Sequence, residues 1–341
     1  MKIVDVIIVG AGPAGLRCAE VLSNSSLKVL LLEKNSVIGP KVCAGGLTGK
    51  GMDYLHLPDE LIEFRYNKIK LQVNRLPFTI KHHREFAYTI DRKEFGQWQL
   101  SKISNVSNIE IRTNARVTDI TADTITVNGE QIGYKTLVGA DGSNSGVRRY
   151  AGLKTEKVVA AIQYIIPTTR YQDFELYFQP RKFHAGYVWI FPHKDYVSVG
   201  TGCDGKLFPT STLKDNFHAW LKKHKIDIAN ARYEAFPINA DYQGYKFGNV
   251  YLIGDAAGLA SGFTGEGIFQ ALISGEEIGK QILEPSYEPN LERLLRNQHY
   301  HERLYSLSNQ WGKIRVLLYY AGMFLLKFSN KWRTKFIDIV G

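Results

Sequence analysis

Residues 3–34 read IVDVIIVGAGPAGLRCAEVLSNSSLKVLLLEK. Val4 to Val9 is an apolar run of the kind that forms a strand buried on both faces of a parallel sheet. It runs into Gly10-Ala11-Gly12-Pro13-Ala14-Gly15, and a helical pattern follows in Leu16, Ala19, Val21 and Leu22. A second apolar strand, Lys28 to Leu32, ends on Glu33 and Lys34. In that setting Gly10 permits the tight turn, Gly12 lets the backbone approach a pyrophosphate, and Gly15 lets helix and strand pack closely. The free N–H groups and partial positive charge of the helix start suit phosphates. Glu33 stands where an acid accepts hydrogen bonds from two ribose hydroxyls. The stretch therefore predicts a bound dinucleotide.

Outside this stretch, composition sets the limits. At 341 residues, with 44% hydrophobic and 22% charged residues, the chain suits a globular protein of two interleaved domains. Its three cysteines (Cys18, Cys43, Cys203) are dispersed and odd in number, which argues against a disulfide framework and for a reducing compartment. The histidine pairs His82-His83 and His299/His301 have no cysteines or acids spaced around them as ligands, so no metal site is expected. No secretory signal is expected, because the first strand starts almost at once. No apolar window reaches the length of a membrane span. A net charge of +10 points to an anionic partner. No nucleic-acid motif is present, which leaves a membrane surface as the expectation.

The rest of the chain alternates between two kinds of pattern. Gly39 to Gly51 is a glycine-rich loop around Cys43. Residues 65–90 alternate apolar and polar as several antiparallel strands, and Asp91 is placed to cap a helix that begins at Arg92. Short strands at Ile109–Arg112 and Ala115–Thr121 precede a hairpin turning at Asn128-Gly129. Leu137–Ala140 leads into Asp141-Gly142-Ser143-Asn144-Ser145 and a helix at Val147–Tyr150. Residues 158–202 again read as strands, and Thr212–His224 as a helix with Leu213, Phe217, Trp220 and Leu221 on one face. Asn249–Ile253 leads into Gly254-Asp255-Ala256-Ala257-Gly258, and residues 261–267 open a long helix. From Pro289 onward the pattern is helical.

These patterns give an α/β fold: a Rossmann-type domain, an interleaved antiparallel β-sheet substrate domain and a helical C-terminal tail. The expected boundaries are 1–64, 91–157 and 236–285 for the first, 65–90 and 158–235 for the second, and 286–341 for the tail.

GAGPAG, Val138-Gly139-Ala140-Asp141-Gly142-Ser143 and Ile253-Gly254-Asp255-Ala256-Ala257-Gly258 occur in that order. Together they resemble the FAD-dependent enzymes of the p-hydroxybenzoate hydroxylase superfamily, over nearly the whole chain. Two further motifs, Cys43-Ala44-Gly45-Gly46 and Tyr187-Val188-Trp189-Ile190-Phe191-Pro192 followed by Gly200-Thr201-Gly202, are similar to those of geranylgeranyl reductases. That resemblance implies FAD-dependent saturation of isolated double bonds in isoprenoid chains of lipids or prenylated precursors. Its alternatives are a flavin monooxygenase of the same fold and a non-catalytic flavoprotein. The resemblance to archaeal lipid enzymes is to proteins with a longer C-terminal part.

The implied cofactor site comprises Gly10, Gly12, Pro13, Ala14, Gly15, Glu33, Lys34, Cys43, Ala44, Gly45, Arg92, Val117, Asp141, Gly142, Asp255, Gly265, Gly267 and Ile268. Within it Asp255 reaches the ribityl chain, and Asp141 and Gly142 lie on the pyrophosphate side. The implied substrate site comprises Gly46, Tyr187, Trp189, Phe191 and Pro192. Electrons are expected from NAD(P)H or ferredoxin.

Tyr187, Trp189 and Phe191 share one strand face at period two, a wall that suits a long hydrocarbon or ordinary core packing. An isolated alkene accepts hydride poorly, so an acid must protonate it; Cys43, a water and Tyr187 are the candidates. Finally, Val316 to Leu326 is apolar with basic residues on both sides. It reads either as a segment lying in a membrane surface or as a buried helix closing the substrate domain. With a lipid substrate, the expectation is a cytoplasmic protein, a monomer or weak oligomer, peripheral to the inner face of a membrane.

Overall fold

The computed structural model describes residues 1–206, 209–310 and 314–340. Its centre is a parallel sheet in which the strand Lys2–Val9 lies between Val29–Leu32 and Glu130–Gly139. Ile109–Arg112 extends the sheet on one side and Val250–Leu252 on the other. Ile7, Ile8, Leu30, Leu31 and Leu137 are fully enclosed, as strands covered on both faces require. The helices Pro13–Leu22 and Ile268–Leu283 cover one face together. They touch because Gly275 carries no side chain: a Cβ there would fall 2.3 Å from the carbonyl oxygen of Ala14.

Asn128 and Gly129 both have positive φ, 50° and 85°, and turn the hairpin as their identities require. The strand that follows differs from the sequence expectation. Instead of two short strands it is a single ten-residue strand, Glu130–Gly139, because its first half pairs with the hairpin and its second half with Val250–Leu252.

A second, seven-stranded sheet carries the strands Val158–Ile166, Val197–Asp204, Val188–Pro192 and Glu175–Phe178 side by side. Lys68–Val73 and Leu76–Lys81 complete one edge. The other edge is Arg232–Asn239, a strand that runs across the expected boundary at residue 236. The helix Thr210–Lys223 buries Leu213, Phe217, Trp220 and Leu221 against this sheet, the face its periodicity specifies.

A third sheet has three strands, Gly46–Thr48, Ala87–Ile90 and Ile62–Tyr66, with Ala87–Ile90 in the middle. Ile62–Tyr66 likewise runs across the expected boundary at residue 65. Three helices, Glu292–Gln310, Ile314–Phe328 and Asn330–Val340, form the C-terminal region. No helix among the described residues is long and apolar enough to cross a membrane.

Candidate active site

Two cavities meet in the cleft between the sheets. The larger, about 670 Å³, is mostly polar and follows the C-terminal ends of the central parallel strands. The other, about 250 Å³, is walled by the aromatic side chains of the seven-stranded sheet. They share Gly12, Pro13, Lys41, Arg92, Ala140 and Gly142 in their linings, so one long ligand can thread both.

The glycine loop shapes the polar cavity. Gly10 turns with φ +104°, and a Cβ there would stand 2.4 Å from the carbonyl oxygen of Ala140. Gly15 does not line the cavity; it packs beneath the turn, where a Cβ would meet Gly10 O at 2.0 Å. Gly12 is the opposite case, because nothing lies within 4 Å of where its Cβ would be. The helix Pro13–Leu22 starts from Gly12 with no side-chain cap, so its first N–H groups face the cavity available to an anion. Glu33 accepts hydrogen bonds from Ala11 N (3.1 Å) and Asn35 N (2.9 Å), which fixes its carboxylate at the cavity edge beside Lys34 and Val117.

Arg92 lies where the cavities join. It is 9% exposed, begins the helix Arg92–Ser101, and its buried Nε has no hydrogen-bond partner. A buried guanidinium in that condition calls for an anionic or polar ligand. Asp91 caps its helix through Lys93 N and Glu94 N, as its position requires.

Asp141 and Asp255 part company in the structure. The Asp141 carboxylate accepts from Ser145 Oγ (2.5 Å), Gly146 N (2.7 Å) and Val147 N (3.2 Å). It therefore braces the helix Gly146–Tyr150, and its enclosure raises its pKa against those bonds. Gly142, with φ +79° and open space beside it, presents backbone to the cavity instead. Asp255 opens the short helix Gly254–Ala257 at the cavity wall, paired with Lys41 Nζ (2.9 Å) and accepting from Ser143 Oγ (3.2 Å). The two motifs, Val138–Ser143 and Ile253–Gly258, are thus joined through Ser143.

In the apolar cavity Tyr187, Trp189 and Phe191 form one wall, with Phe174 stacked on Phe191 at 3.8 Å between centroids. Pro192 does not join them. Strand alternation sends it to the opposite face with Val188 and Ile190, away from the cavity. Cys43, Ala44 and Gly46 line the facing side, with Gly265, Gly267 and Ile268 at the entrance to the long helix. Gly45, expected against the cofactor, is turned away. Its φ is +75°, and a Cβ on it would meet His193 Cε1 at 2.3 Å. His193 is buried between Glu63, whose carboxylate contacts Nδ1, and Ala44 O, 3.0 Å from Nε2. This pair holds the Cys43–Gly46 loop in place.

Sequence reasoning did not single out Lys41, Phe174, His193, Glu63 or Glu266. Lys41, His193, Glu63 and Glu266 acquire their roles from residues more than 40 positions away, and Phe174 from Phe191 across the sheet, relations that local patterns do not carry.

The residues present fit a flavin dinucleotide: an uncapped helix start, an open glycine, an acid at the ribose distance in sequence and a buried arginine whose Nε has no hydrogen-bond partner lie along one channel. Comparison with known proteins agrees. Residues 4–175 match the pyridine nucleotide-disulphide oxidoreductase family. The chain is 31% identical to a digeranylgeranylglycerophospholipid reductase of Methanococcus vannielii, over 83% of this chain and 78% of that one. It is 30% identical to digeranylgeranylglycerophospholipid reductase 1 of Methanococcoides burtonii, over 82% and 74%. Among solved structures, a geranylgeranyl bacteriochlorophyll reductase-like protein from Thermoplasma acidophilum shares the fold with a TM-score of 0.74 and 22% identity, over 100% of this chain and 92% of that one. A probable FAD-dependent monooxygenase from Pseudomonas aeruginosa shares it at 0.66 and 17%, over 99% of each. The chain is a flavin-dependent oxidoreductase and belongs to the geranylgeranyl reductase family.

Proposed function

We propose that the protein saturates isolated C=C bonds in geranylgeranyl-type chains of membrane lipids or their prenylated precursors. One observation carries this reading: the aromatic cavity opens directly onto the polar cofactor channel at Arg92 and Gly12. A hydrocarbon chain lying along Tyr187, Trp189 and Phe191 is thereby brought to the cofactor without crossing water. FAD, when bound and reduced, supplies the hydride. Gly12 and the start of the helix Pro13–Leu22 hold the pyrophosphate, Glu33 the adenosine ribose, and Asp255 with Lys41 the ribityl region.

Cys43 and Gly46 press on the reacting segment from the loop side, and the aromatic wall excludes water and fixes the alkene. NAD(P)H or ferredoxin reduces the flavin; anaerobic mixing with each donor in turn identifies which.

The membrane is the proposed source of substrate, with the protein on its cytoplasmic face. One side of the helix Ile314–Phe328 is fixed to the substrate domain through Arg315 Nη1 to Pro180 O (3.1 Å) and Asn74 Nδ2 to Tyr320 (2.9 Å). Ile314, Leu317, Leu318, Phe324, Leu325 and Phe328 are exposed on the other side, with Lys327, Lys331 and Arg333 nearby. That stripe and a net charge of +10 suit an anionic lipid surface.

The test is mass spectrometry of a digeranylgeranyl phospholipid after anaerobic incubation with the dithionite-reduced, FAD-loaded protein. Gain of hydrogen in pairs is expected. An unchanged lipid, with one oxygen incorporated when the mixture is repeated in air with NAD(P)H, would move the protein to the monooxygenases, whose fold it shares. Cys43→Ala is expected to keep FAD and lower turnover by about tenfold or more. Unchanged turnover would leave Cys43 a packing residue.

A further inference from the structure

We propose that Glu266 is the acid that protonates the alkene, and that it regains its proton from the side away from the lipid. The inference rests on the ene-reductase reading above. The acidic side chains that line the apolar cavity are Cys43, Tyr187, Cys203, Asp255, Glu266 and Tyr305. Asp255 is held by Lys41, burial pushes the Cys203 thiol up to about 12, and the Tyr305 phenol is an intrinsically weak acid, which leaves Cys43, Tyr187 and Glu266. The Tyr187 hydroxyl donates to Thr264 O at 2.5 Å, and burial pushes its pKa up, so its proton is already committed. Cys43 Sγ accepts the N–H of Gly45 at 3.4 Å and lines the apolar cavity only.

Glu266 is placed differently. Behind it lies a second, small cavity of about 20 Å³, room for one water, lined by Ser261, Gln270, Gln298 and His301 among others. Among the described residues Glu266 is the one that lines both this space and the apolar cavity. A proton given up on one side can therefore be replaced from the other without wetting the hydrocarbon.

The hydrogen-bond inventory around Glu266 suits a neutral carboxyl group. Thr48 Oγ1 donates to its Oε1 at 2.8 Å, and the Gln270 amide lies 3.3 Å from its Oε2. The other end of that amide, the buried Gln270 Oε1, has no partner. Turned over, the amide offers its oxygen to the carboxyl proton. Burial raises the pKa of Glu266, with Thr48, Lys50 and Gln270 opposing it. The titratable groups around it are Lys50, Tyr187 and His301. His301 is itself buried, its pKa lowered to about 4, and its Nδ1 lies 2.9 Å from Ser261 Oγ. It is therefore a neutral imidazole at working pH.

In the step, one alkene carbon receives a hydride, with its electron pair, from the reduced flavin. The π pair of the alkene forms the second C–H bond with the Glu266 proton. The alkene gains two hydrogens and two electrons, the flavin is left oxidised, and Glu266 is left as a carboxylate until a solvent proton returns through the small cavity.

The test compares FAD-loaded wild type with Glu266→Gln, which keeps the shape and the Thr48 hydrogen bond. Infrared difference spectra at neutral pH should show a protonated-carboxyl C=O band in the wild type that the variant lacks. Glu266→Gln should bind FAD and accept electrons normally, yet its reduced flavin should be reoxidised by the lipid about 10²–10⁴-fold more slowly. Wild-type turnover should fall as pH rises through the raised pKa of Glu266, and this alkaline limb should vanish in the variant. Absence of the band overturns the proposal. So does lipid reduction at the wild-type rate by Glu266→Gln, or loss of the alkaline limb in Cys43→Ala instead. If the band is present but wild type leaves the lipid unchanged, the ene-reductase reading falls and the role of Glu266 falls with it.

Discussion

The two cavities meet at Gly12 and Arg92 but are built from different materials. The polar one is shaped at its centre by backbone: the turn at Gly10, the open helix start at Gly12 and the bare chain at Gly142. The apolar one is bounded by side chains, above all Tyr187, Trp189, Phe191 and Phe174. Backbone geometry admits almost no substitution, because an added atom meets a peptide group that cannot move aside. A side-chain wall can trade one apolar group for another of similar volume at modest cost. The first cavity thus suits an invariant ligand, and the second a family of related hydrocarbons.

The largest effects should come from the glycine turn, where two neighbouring glycines ought to fail in different ways. Gly10→Ala adds a Cβ 2.4 Å from the Ala140 carbonyl oxygen at φ +104°, so both sterics and backbone resist it. A loss of about 3 kcal/mol or more in stability is expected, read by thermal unfolding of the apoprotein. Gly12→Ala has φ −78° and no atom within 4 Å of the new Cβ. It should change apoprotein stability by only about 1 kcal/mol, yet weaken FAD at least about 100-fold, because the methyl group stands where the pyrophosphate approaches. Equal FAD affinity in Gly12→Ala would break the assignment of this loop.

Arg92→Met sharpens the junction between the cavities. It removes a buried guanidinium whose Nε has no partner, so the apoprotein should be as stable or more stable. FAD affinity should fall about 10–100-fold, measured by fluorescence titration, because a charge-assisted contact is lost. If affinity were unchanged, Arg92 would serve the substrate side.

How legible the two halves were in the sequence follows the same division. The turn at Gly10 and the Asp91 cap are local grammar, since each residue's task is set by its immediate neighbours, and they stand in the structure as written, while Glu33 lies at the cavity edge. Where long-range pairing decides, the sequence was mute or misleading. Gly46–Thr48 is too short and too glycine-rich to signal a strand; it becomes one only because Ala87–Ile90 offers it a ladder. Arg232–Asn239 contains Pro237, which argues against a strand, yet as an edge strand it can spare the missing donor. Gly45 sits in a motif that points toward a site, but the buried His193–Glu63 pair claims the space beside it. Glu266, lying between two glycines, gave no hint of the small cavity that residues of a much later helix help to build behind it.

A milder change should test the side-chain wall. Phe191→Leu removes the ring stacked on Phe174 but keeps most of the apolar volume. Stability should drop by about 1 kcal/mol. KM for the lipid should rise several-fold, about fivefold by the loss of one aromatic pair, with FAD affinity unchanged. An equal loss of FAD affinity would show that the ring shapes the cofactor site as well, and would blur the contrast between the two cavities.

The smallest effect on the fold, and a decisive one for location, should come from the C-terminal helix. Leu317 and Phe324 are 66% and 61% exposed, on the side away from Arg315, which with Tyr320 ties the helix to the substrate domain. Replacing both by Asp removes only the contact between the Phe324 and Phe328 rings, both exposed, so stability should hold within about 0.5 kcal/mol per site. In a bilayer interface the same two side chains would each be buried, at roughly 1.5–3 kcal/mol apiece. The double variant should therefore float with anionic liposomes at least about 100-fold less well than the wild type, while still reducing detergent-dispersed lipid at the normal rate. Flotation equal to wild type would detach the apolar stripe from the membrane and leave the helix as a cover for the substrate cavity, whose core cluster already includes Leu326 and Ile337.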